Sequence, residues 1–324
     1  MRKLLSAAVA ALSVAALTGV TACGGNSSTA PPASSPGQVD KVNVGVIAIV
    51  DVAPIYLGNK QGFFKKHNID LTLTTAQGGA VIVPGVISGQ YQFGFSNVTS
   101  LVLAKSRNLP LKMVSNGVAS TGQVGKDFGG TVVKANSPIK TAADLAGRTV
   151  SVNTLKNIGD TTVRATVRKA GGDPKAVKFV ELAFPDMPAA LAAGRVDAAF
   201  VVEPFLTTLV SQGDRVVAWN YAEPAPDMTV AAYFTSQQLI AKNPDLVKRF
   251  QAAMTESLQY ASDHPDDVRS VLSTYTKITP DIAAKLTLPK WPPTVNKASV
   301  QTLTDLAVGD GLIDKAPDLD SLLP

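Results

Sequence analysis

Apolar and polar residues alternate along the chain in a pattern that predicts strands and helices taken in turn. A β-branched run at residues 42–50 is followed by a helix-like segment, 53–61, that ends before Gly62. Such alternation is typical of parallel sheets covered by helices, so the pattern predicts an α/β fold. Further strands are predicted at residues 70–75, 93–96 and 111–115, and further helices at 80–88 and 98–106.

A second series of the same kind begins near Thr141, which is placed to cap a short helix with Asp144 three residues later. Strands are predicted at residues 149–152, 178–181, 198–202 and 215–218, and helices at 161–170, 187–193 and 205–211. After Tyr233 the pattern is mostly helical, and helix starts are predicted at Pro244, Pro265 and Pro280.

Residues 1–22 have the order of a secretory signal peptide. Basic residues precede an apolar run at 4–17, and small residues follow up to Cys23. The run is shorter than the roughly 20 residues that a membrane-spanning helix needs. Cys23 resembles the cysteine of a bacterial lipobox, which takes a diacylglycerol and becomes the first mature residue. This predicts a lipid anchor at the outer face of the cytoplasmic membrane; the alternative is an ordinary cut after Ala22.

The segment 23–39 is predicted to be the lipidated N-terminus and a flexible tether, because residues 24–38 carry no charge and little apolar surface. The rest has the composition of a soluble globular protein. Basic residues number 30 and acidic residues 25, and they are scattered, so no nucleic-acid partner is predicted. One cysteine and two histidines, His67 and His264, give no zinc cluster, and no metal or cofactor is predicted.

The two series share a local plan, in which an apolar helix ends at Gly89 or Gly194 and a short strand and a polar turn follow. This predicts two similar α/β lobes. Ligands of open α/β sheets lie outside the carboxyl ends of the strands, where loops and helix N-termini converge. Two such lobes facing each other would enclose a ligand cleft.

Several short segments, taken in order, carry a resemblance to a known family. They are Gly62-Phe63-Phe64, residues 70–73, Gly78-Gly79, residues 137–140, 144–148, 194–199 and 203–205. From about Val42 to the end, the chain resembles the binding proteins of sulfonate, nitrate, taurine and thiamine-precursor importers. Gln92 departs from the pattern, since the family often has aspartate there.

That resemblance implies the type II periplasmic-binding-protein fold, with a cleft between two lobes and a helical C-terminal part. It implies one lobe made of residues 40–125 plus 230–324 and a second made of residues 126–229. It also implies a monomer that captures a small-molecule solute and delivers it to an ABC permease and its ATPase.

Residues in the predicted loops at the strand ends are the candidate ligand contacts. They are Asp51, Gln77, Gly78, Gly79, Ser96, Asn97, Asn116, Asn153, Asp160, Thr161, Glu203 and Phe205. Structural alternatives stand beside them: a plain tight turn for the glycines, a turn preference for the asparagines, and helix capping for Asp160 or Thr161. Three further aromatic residues are predicted to pack rather than bind: Trp219, Tyr221 and Trp291.

Asp51 and Glu203 are the candidate residues that most affect which ligand charge the predicted site favours. Two carboxylates facing a cleft favour an amine-bearing solute and oppose a small anion, and Phe205 can stack on a ring. The prediction is therefore a nitrogenous or aromatic solute, with a sulfonate-type solute as the alternative. Glu203-Pro204 also fits a helix start, where an acidic residue is favoured by the helix dipole.

Two other functions share this fold class. One is an enzyme that acts on a small heterocycle, with Asp51 and Glu203 in acid–base roles, and the other is a surface receptor lipoprotein that does not transport. The predicted cleft loops contain no histidine and no nucleophile beside a base. Binding without catalysis is therefore predicted, and no catalytic residue is assigned.

Overall fold

Two five-stranded sheets organise residues 38–324, the part of the chain that this computed structural model describes. The strands are β1 (Asp40–Val46), β2 (Ile69–Thr75), β3 (Phe93–Asn97), β4 (Leu111–Ala119), β5 (Gly129–Val133), β6 (Thr149–Val152), β7 (Lys178–Glu181), β8 (Ala198–Val202), β9 (Arg215–Ala218) and β10 (Thr229–Ser236). The predicted signal peptide and Cys23 lie outside the described residues.

Helices cover both sheets. They are α1 (Ala53–Lys60), α2 (Phe63–Lys66), α3 (Gly79–Ile87), α4 (Val98–Ser106), α5 (Ile158–Lys169), α6 (Met187–Ala192), α7 (Phe205–Ser211), α8 (Gln237–Lys242), α9 (Pro244–Asp263), α10 (Pro265–Leu272), α11 (Pro280–Lys285) and α12 (Lys297–Gly309). In the described part of the chain, none of them is long and apolar enough to cross a membrane.

The two sheets have the same arrangement. The first has the order β2-β1-β3-β10-β4 and the second β7-β6-β8-β5-β9. In each, the first three strands are parallel and the fourth is antiparallel to both of its neighbours. The α/β class and the two-lobe architecture that the sequence predicts are therefore confirmed.

Helices pack on both faces of the first sheet. Phe93 of β3 stacks on Phe250 of α9, with ring centroids 3.8 Å apart. The next residue, Gly94, points to the other face, where a Cβ atom would meet Ile82 of α3 at 2.5 Å. The central strands β3 and β10 are accordingly buried on both sides, whereas the edge strand β2 exposes alternate residues.

Two chain segments connect the sheets, one between β4 and β5 and the other between β9 and β10. They touch each other, because the backbone N–H of Ser120 donates to the carbonyl of Met228 at 2.8 Å. Within the first segment, Asp127 is buried and accepts hydrogen bonds from Ser120, Thr121 and Phe128.

Most predicted elements are present, but several bounds are wrong. The first strand ends at Val46, and a 3-10 turn at Val50–Val52 follows it. β4 continues past Ser115 to Ala119 because β10 pairs with it along that length. The chain after Tyr233 is not yet helical, since β10 runs to Ser236.

The helix predicted to begin at Thr161 begins at Ile158, because the side chain of Asn157 accepts a hydrogen bond from Gly159 N–H and caps it. Asp160 and Thr161 are therefore not the cap. Helix starts at Pro244, Pro265 and Pro280 are confirmed, as is the capping box of Thr141 and Asp144 around a 3-10 turn, Ala142–Leu145.

Candidate functional site

The loop before α3 lies directly against the loop that follows β6. A Cβ atom added to Gly78 would fall 2.5 Å from Oγ1 of Thr154 and 3.3 Å from Nδ2 of Asn153. The φ angle of Gly78 is −170°, so its backbone conformation is open to any residue. Glycine is needed at this position for the close approach of the two loops.

Gly79 makes a second close approach, on its own side of the cleft. A Cβ atom there would lie 2.0 Å from Oγ of Ser96 and 2.8 Å from its Cα atom. The structure thus brings together four predicted site residues, namely Gly78, Gly79, Ser96 and Asn153. They come from the carboxyl ends of β2, β3 and β6.

The three predicted asparagines have different hydrogen-bond partners. Asn97 caps α4, since its side chain accepts from Ser100 N–H at 2.9 Å. Asn153 accepts from Nδ2 of Asn157 at 2.9 Å. Asn116 lies inside β4, not in the predicted loop, and donates to the carbonyl of Pro292 at 2.7 Å. Its Oδ1 atom is buried and has no partner among the described residues.

Asp160 and Thr161 lie in the first turn of α5, and both are buried. Thr161 donates to the carbonyl of Asn157 at 3.0 Å. One oxygen of Asp160 accepts from Lys156 N–H at 2.9 Å, whereas the other is buried without a partner in the described chain. Burial raises the pKa of Asp160 to about 6.

Glu203 is buried, and donors already surround its carboxylate. It accepts from the N–H and hydroxyl of Thr207 at 3.0 and 2.7 Å, and from Thr287 N–H at 3.1 Å. Its backbone carbonyl accepts from Val50 N–H at 3.1 Å. Burial raises the pKa of Glu203 to about 7, and these hydrogen bonds and the charge of Arg269 partly oppose that rise. The residue links β8 and α7 to the segments around Val50 and Thr287.

Asp51 is the least satisfied carboxylate of the set. Its side chain is buried, and Oδ1 has no hydrogen-bond partner among residues 38–324. Burial, with a further contribution from the charge of Asp127, raises the pKa of Asp51 to about 7. The hydroxyl of Tyr233 is also buried and unpartnered in that part of the chain, and burial, with the charge of Asp51 among the further causes, raises its pKa well above the usual range.

The three aromatic residues that the sequence predicts to pack belong to the hydrophobic core or lie against it. Trp291 donates from Nε1 to the backbone carbonyl of Asp51 at 3.2 Å. Trp291 and Tyr221 are buried, and Trp219 is half-buried against the core.

Gln77 and Phe205 line a cavity of about 330 Å³ between the two sheets, with residues 47–49, 75–76 and 183–185. These residues follow or end β1, β2, β7 and β8, so the cavity lies at the carboxyl ends of parallel strands from both sheets. Three larger cavities lie elsewhere in the described part of the chain. Those of about 410 and 340 Å³ are lined by residues between 259 and 293, and that of about 380 Å³ by Arg168 with residues of α12. No predicted site residue lines any of the three.

Sequence reasoning missed several residues at this site. Thr154, Phe184 and Thr287 touch predicted site residues from distant segments, and no local pattern marks them. Asn157 did carry a signal, because an asparagine just before an apolar helix is a typical N-cap. In the described part of the chain, no group of three or more His, Cys, Asp or Glu residues is placed to hold a metal ion.

A family model described as NMT1/THI5 like matches residues 49–268, which is more than half of the chain. The protein belongs to the NMT1/THI5-like family. Among curated relatives, this NMT1/THI5-like chain is 21% identical to a formylaminopyrimidine-binding protein of Halalkalibacterium halodurans over 225 residues, which are 68% of this chain and 65% of that protein. It is 25% identical to the taurine-binding periplasmic protein of Escherichia coli over 236 residues, which are 71% of this chain and 69% of that protein.

Solved structures agree on the fold of this NMT1/THI5-like protein. The alkanesulfonate-binding protein of Xanthomonas axonopodis pv. citri, bound to MOPS, superposes with a TM-score of 0.75 at 16% identity, covering 89% of this chain and 100% of that one. A desulfurization enzyme has the same fold, with a TM-score of 0.63 at 17% identity over 87% of this chain and 95% of the enzyme. The fold therefore occurs in both binding proteins and an enzyme.

Proposed function

We propose that this protein is the extracytoplasmic solute-binding component of an ABC importer. One lobe consists of residues 40–125 plus 230–324 and the other of residues 126–229. A small organic solute is captured between the lobes, and the closed form is presented to a membrane permease that works with an ATPase. The names of the curated relatives, both binding proteins, support this function.

One observation carries the proposal: Gly78 of the first lobe lies against Asn153 and Thr154 of the second. Glycine at this contact lets the two loops approach within van der Waals distance. A solute bound between the lobes, next to this contact, touches both of them, so its binding energy stabilises the closed arrangement.

The solute is a nitrogenous or aromatic compound, with a sulfonate-type compound as the alternative. The buried Oδ1 atom of Asp51, which has no partner among residues 38–324, supports the first class. A buried carboxylate without a partner is costly, and an amine or ring N–H that donates to it removes that cost. The relatives divide between the two classes, since one binds formylaminopyrimidine and another taurine.

Export and a lipid anchor at Cys23 complete the proposal. The E. coli relative is a periplasmic protein, which agrees with the signal-peptide pattern of residues 1–22. The protein acts as a monomer and binds without catalysis. The desulfurization enzyme with the same fold keeps the enzymatic alternative open to test.

Thermal unfolding against a panel of solutes tests this function. The panel contains nitrate, taurine, alkanesulfonates, aminopyrimidines, polyamines and aromatic carboxylates, all at one pH. A ligand at about 100 times its Kd adds about 2.7 kcal/mol, which raises the unfolding midpoint by several degrees. A rise with one class supports the proposal and identifies the solute type. An unchanged midpoint with every class, in a folded protein, contradicts it.

A further inference from the structure

The cavity between the sheets has walls from both lobes. Residues 47–49 and 75–77 form one wall, and residues 183–185 with Phe205 form the other. A molecule in this space touches both lobes at once. The shape and chemistry of the cavity therefore influence which solute the closed form accepts. The volume, about 330 Å³, is at the lower end of the range of ligand pockets, about 300–1,000 Å³.

Among residues 38–324, no charged side chain lines this cavity, and Thr75 and Gln77 supply its polar side chains. A sulfonate or nitrate group placed here would find no cation among these side chains, so binding would leave its charge unpaired. The part of a solute that fits this cavity is therefore uncharged.

Aromatic rings define one wall. Phe205, at the start of α7, and Phe184 are nearly parallel, with ring centroids 5.9 Å apart and an angle of 14° between the planes. Phe184 is buried, whereas Phe205 is only half-buried and lines the cavity. A third planar ring in offset contact with this pair has the geometry that aromatic groups prefer.

We propose that this cavity holds a planar, uncharged ring of the solute, and that the solute is an aromatic or heteroaromatic compound whose polar groups are bound elsewhere in the cleft. The proposal rests on the proposed function, since it assumes that a solute binds between the lobes. It goes further by assigning the ring to the Phe184–Phe205 wall.

Two matched pairs of probes test it by titration calorimetry. One pair is benzylamine and cyclohexylmethylamine, and the other is phenylmethanesulfonate and cyclohexylmethanesulfonate. Within a pair the charge and length are alike, and only the planarity of the ring differs. The planar member of at least one pair should bind between about two- and tenfold more tightly, which is the usual contribution of aromatic stacking.

Variants of Phe205 then locate the effect. Phe205→Leu keeps apolar volume and should abolish the preference for the planar probe, while Phe205→Tyr should retain it. The control is Phe63→Leu, whose ring contacts Tyr260 and is not part of the cavity wall, and it should behave like the parent.

The results separate the two proposals. Equal affinities for planar and saturated probes in the parent, or the same loss in Phe205→Leu and Phe63→Leu, overturn the ring subsite but leave solute binding in place. Failure of all four probes to bind to the folded protein overturns the ring subsite, and no response to the wider solute panel overturns the proposed function as well.

Discussion

The backbone N–H of Thr287 donates a 3.1 Å hydrogen bond to the carboxylate of Glu203, although the two residues are 84 positions apart. Thr207 donates two more hydrogen bonds to the same carboxylate from the first turn of α7. Glu203 therefore holds the segment after α11 against the start of α7. The role of Glu203 as a ligand contact stays a prediction, because a solute that bound its carboxylate would have to share it with Thr207 and Thr287.

Glu203→Gln should lower the free energy of unfolding by about 1–3 kcal/mol at pH 8, where the carboxylate is largely ionised. The Glu203 carboxylate is the acceptor in all three of its hydrogen bonds, so the amide NH2 group of glutamine would face at least one donor unfavourably. Denaturant unfolding measures the change. Asp70→Asn, at an exposed position, is the control for the lost charge, and equal effects of the two substitutions would contradict this account.

Asp51 should make the protein less stable as the pH rises from about 4 to 7. Its pKa is raised from 3.8 to about 7, so in this interval the folded state holds a proton that the unfolded state has released. Each such carboxyl lowers the free energy of unfolding by up to about 1.4 kcal/mol per pH unit. Asp160 and Glu203 contribute with the same sign.

Asp51→Asn should therefore flatten the dependence of unfolding free energy on pH between 4 and 7, and the variant should exceed the parent in stability above pH 7. Asp70→Asn should leave the slope unchanged. Chemical denaturation at each pH gives the two curves. Parallel curves for Asp51→Asn and the parent would show that Asp51 does not hold the extra proton.

Gly78→Ala should weaken solute binding by about three- to tenfold, because the new Cβ atom meets Oγ1 of Thr154 across the cleft. Adding Thr154→Ala removes that oxygen and should restore most of the affinity. Gly309→Ala is a suitable control, since among residues 38–324 there is no atom that a Cβ atom at this position would meet within 4 Å. Calorimetric titration checks the series, and the absence of rescue in the double variant would mean that closure does not depend on this contact.

Cys23→Ser should release the protein from the membrane fraction of cells that export it. The prediction rests on the sequence, since Cys23 lies outside the described residues. Fractionation followed by mass spectrometry distinguishes the outcomes. A soluble, unmodified parent protein with Ala22 removed would favour the ordinary signal-peptidase cut.

The sequence predicts the strands and helices of this fold well where strong local signals mark their ends. Strands β6 to β9 and helices α4 and α7 have the predicted bounds. The apolar run of β8, for example, is closed by Glu203-Pro204, and Asn97 caps α4. The strands β5 and β10 were not predicted. Gly129-Gly130 has low strand propensity, and so has Ala231-Ala232 within β10.

The site was predictable only in part, for a related reason. Gly78, Gly79 and Asn153 follow the carboxyl ends of strands, where ligands of open α/β sheets are expected to bind. Contacts of the predicted site residues, such as Gly78 with Thr154 and Glu203 with Thr287, join segments far apart in the chain. Such pairs depend on how the two sheets face each other. Hydrophobic periodicity within one segment does not indicate that arrangement.

Hydrogen exchange with and without solute tests the central claim, that a solute is held between the two lobes. The probe is the compound that gives the largest rise of the unfolding midpoint in the panel. Amides at Gly79–Ile82 and at Asn153–Asp160 should become protected together, while those of α12 near Gly309 should not change. Protection on one side alone, or none at saturating solute, would contradict binding between the lobes.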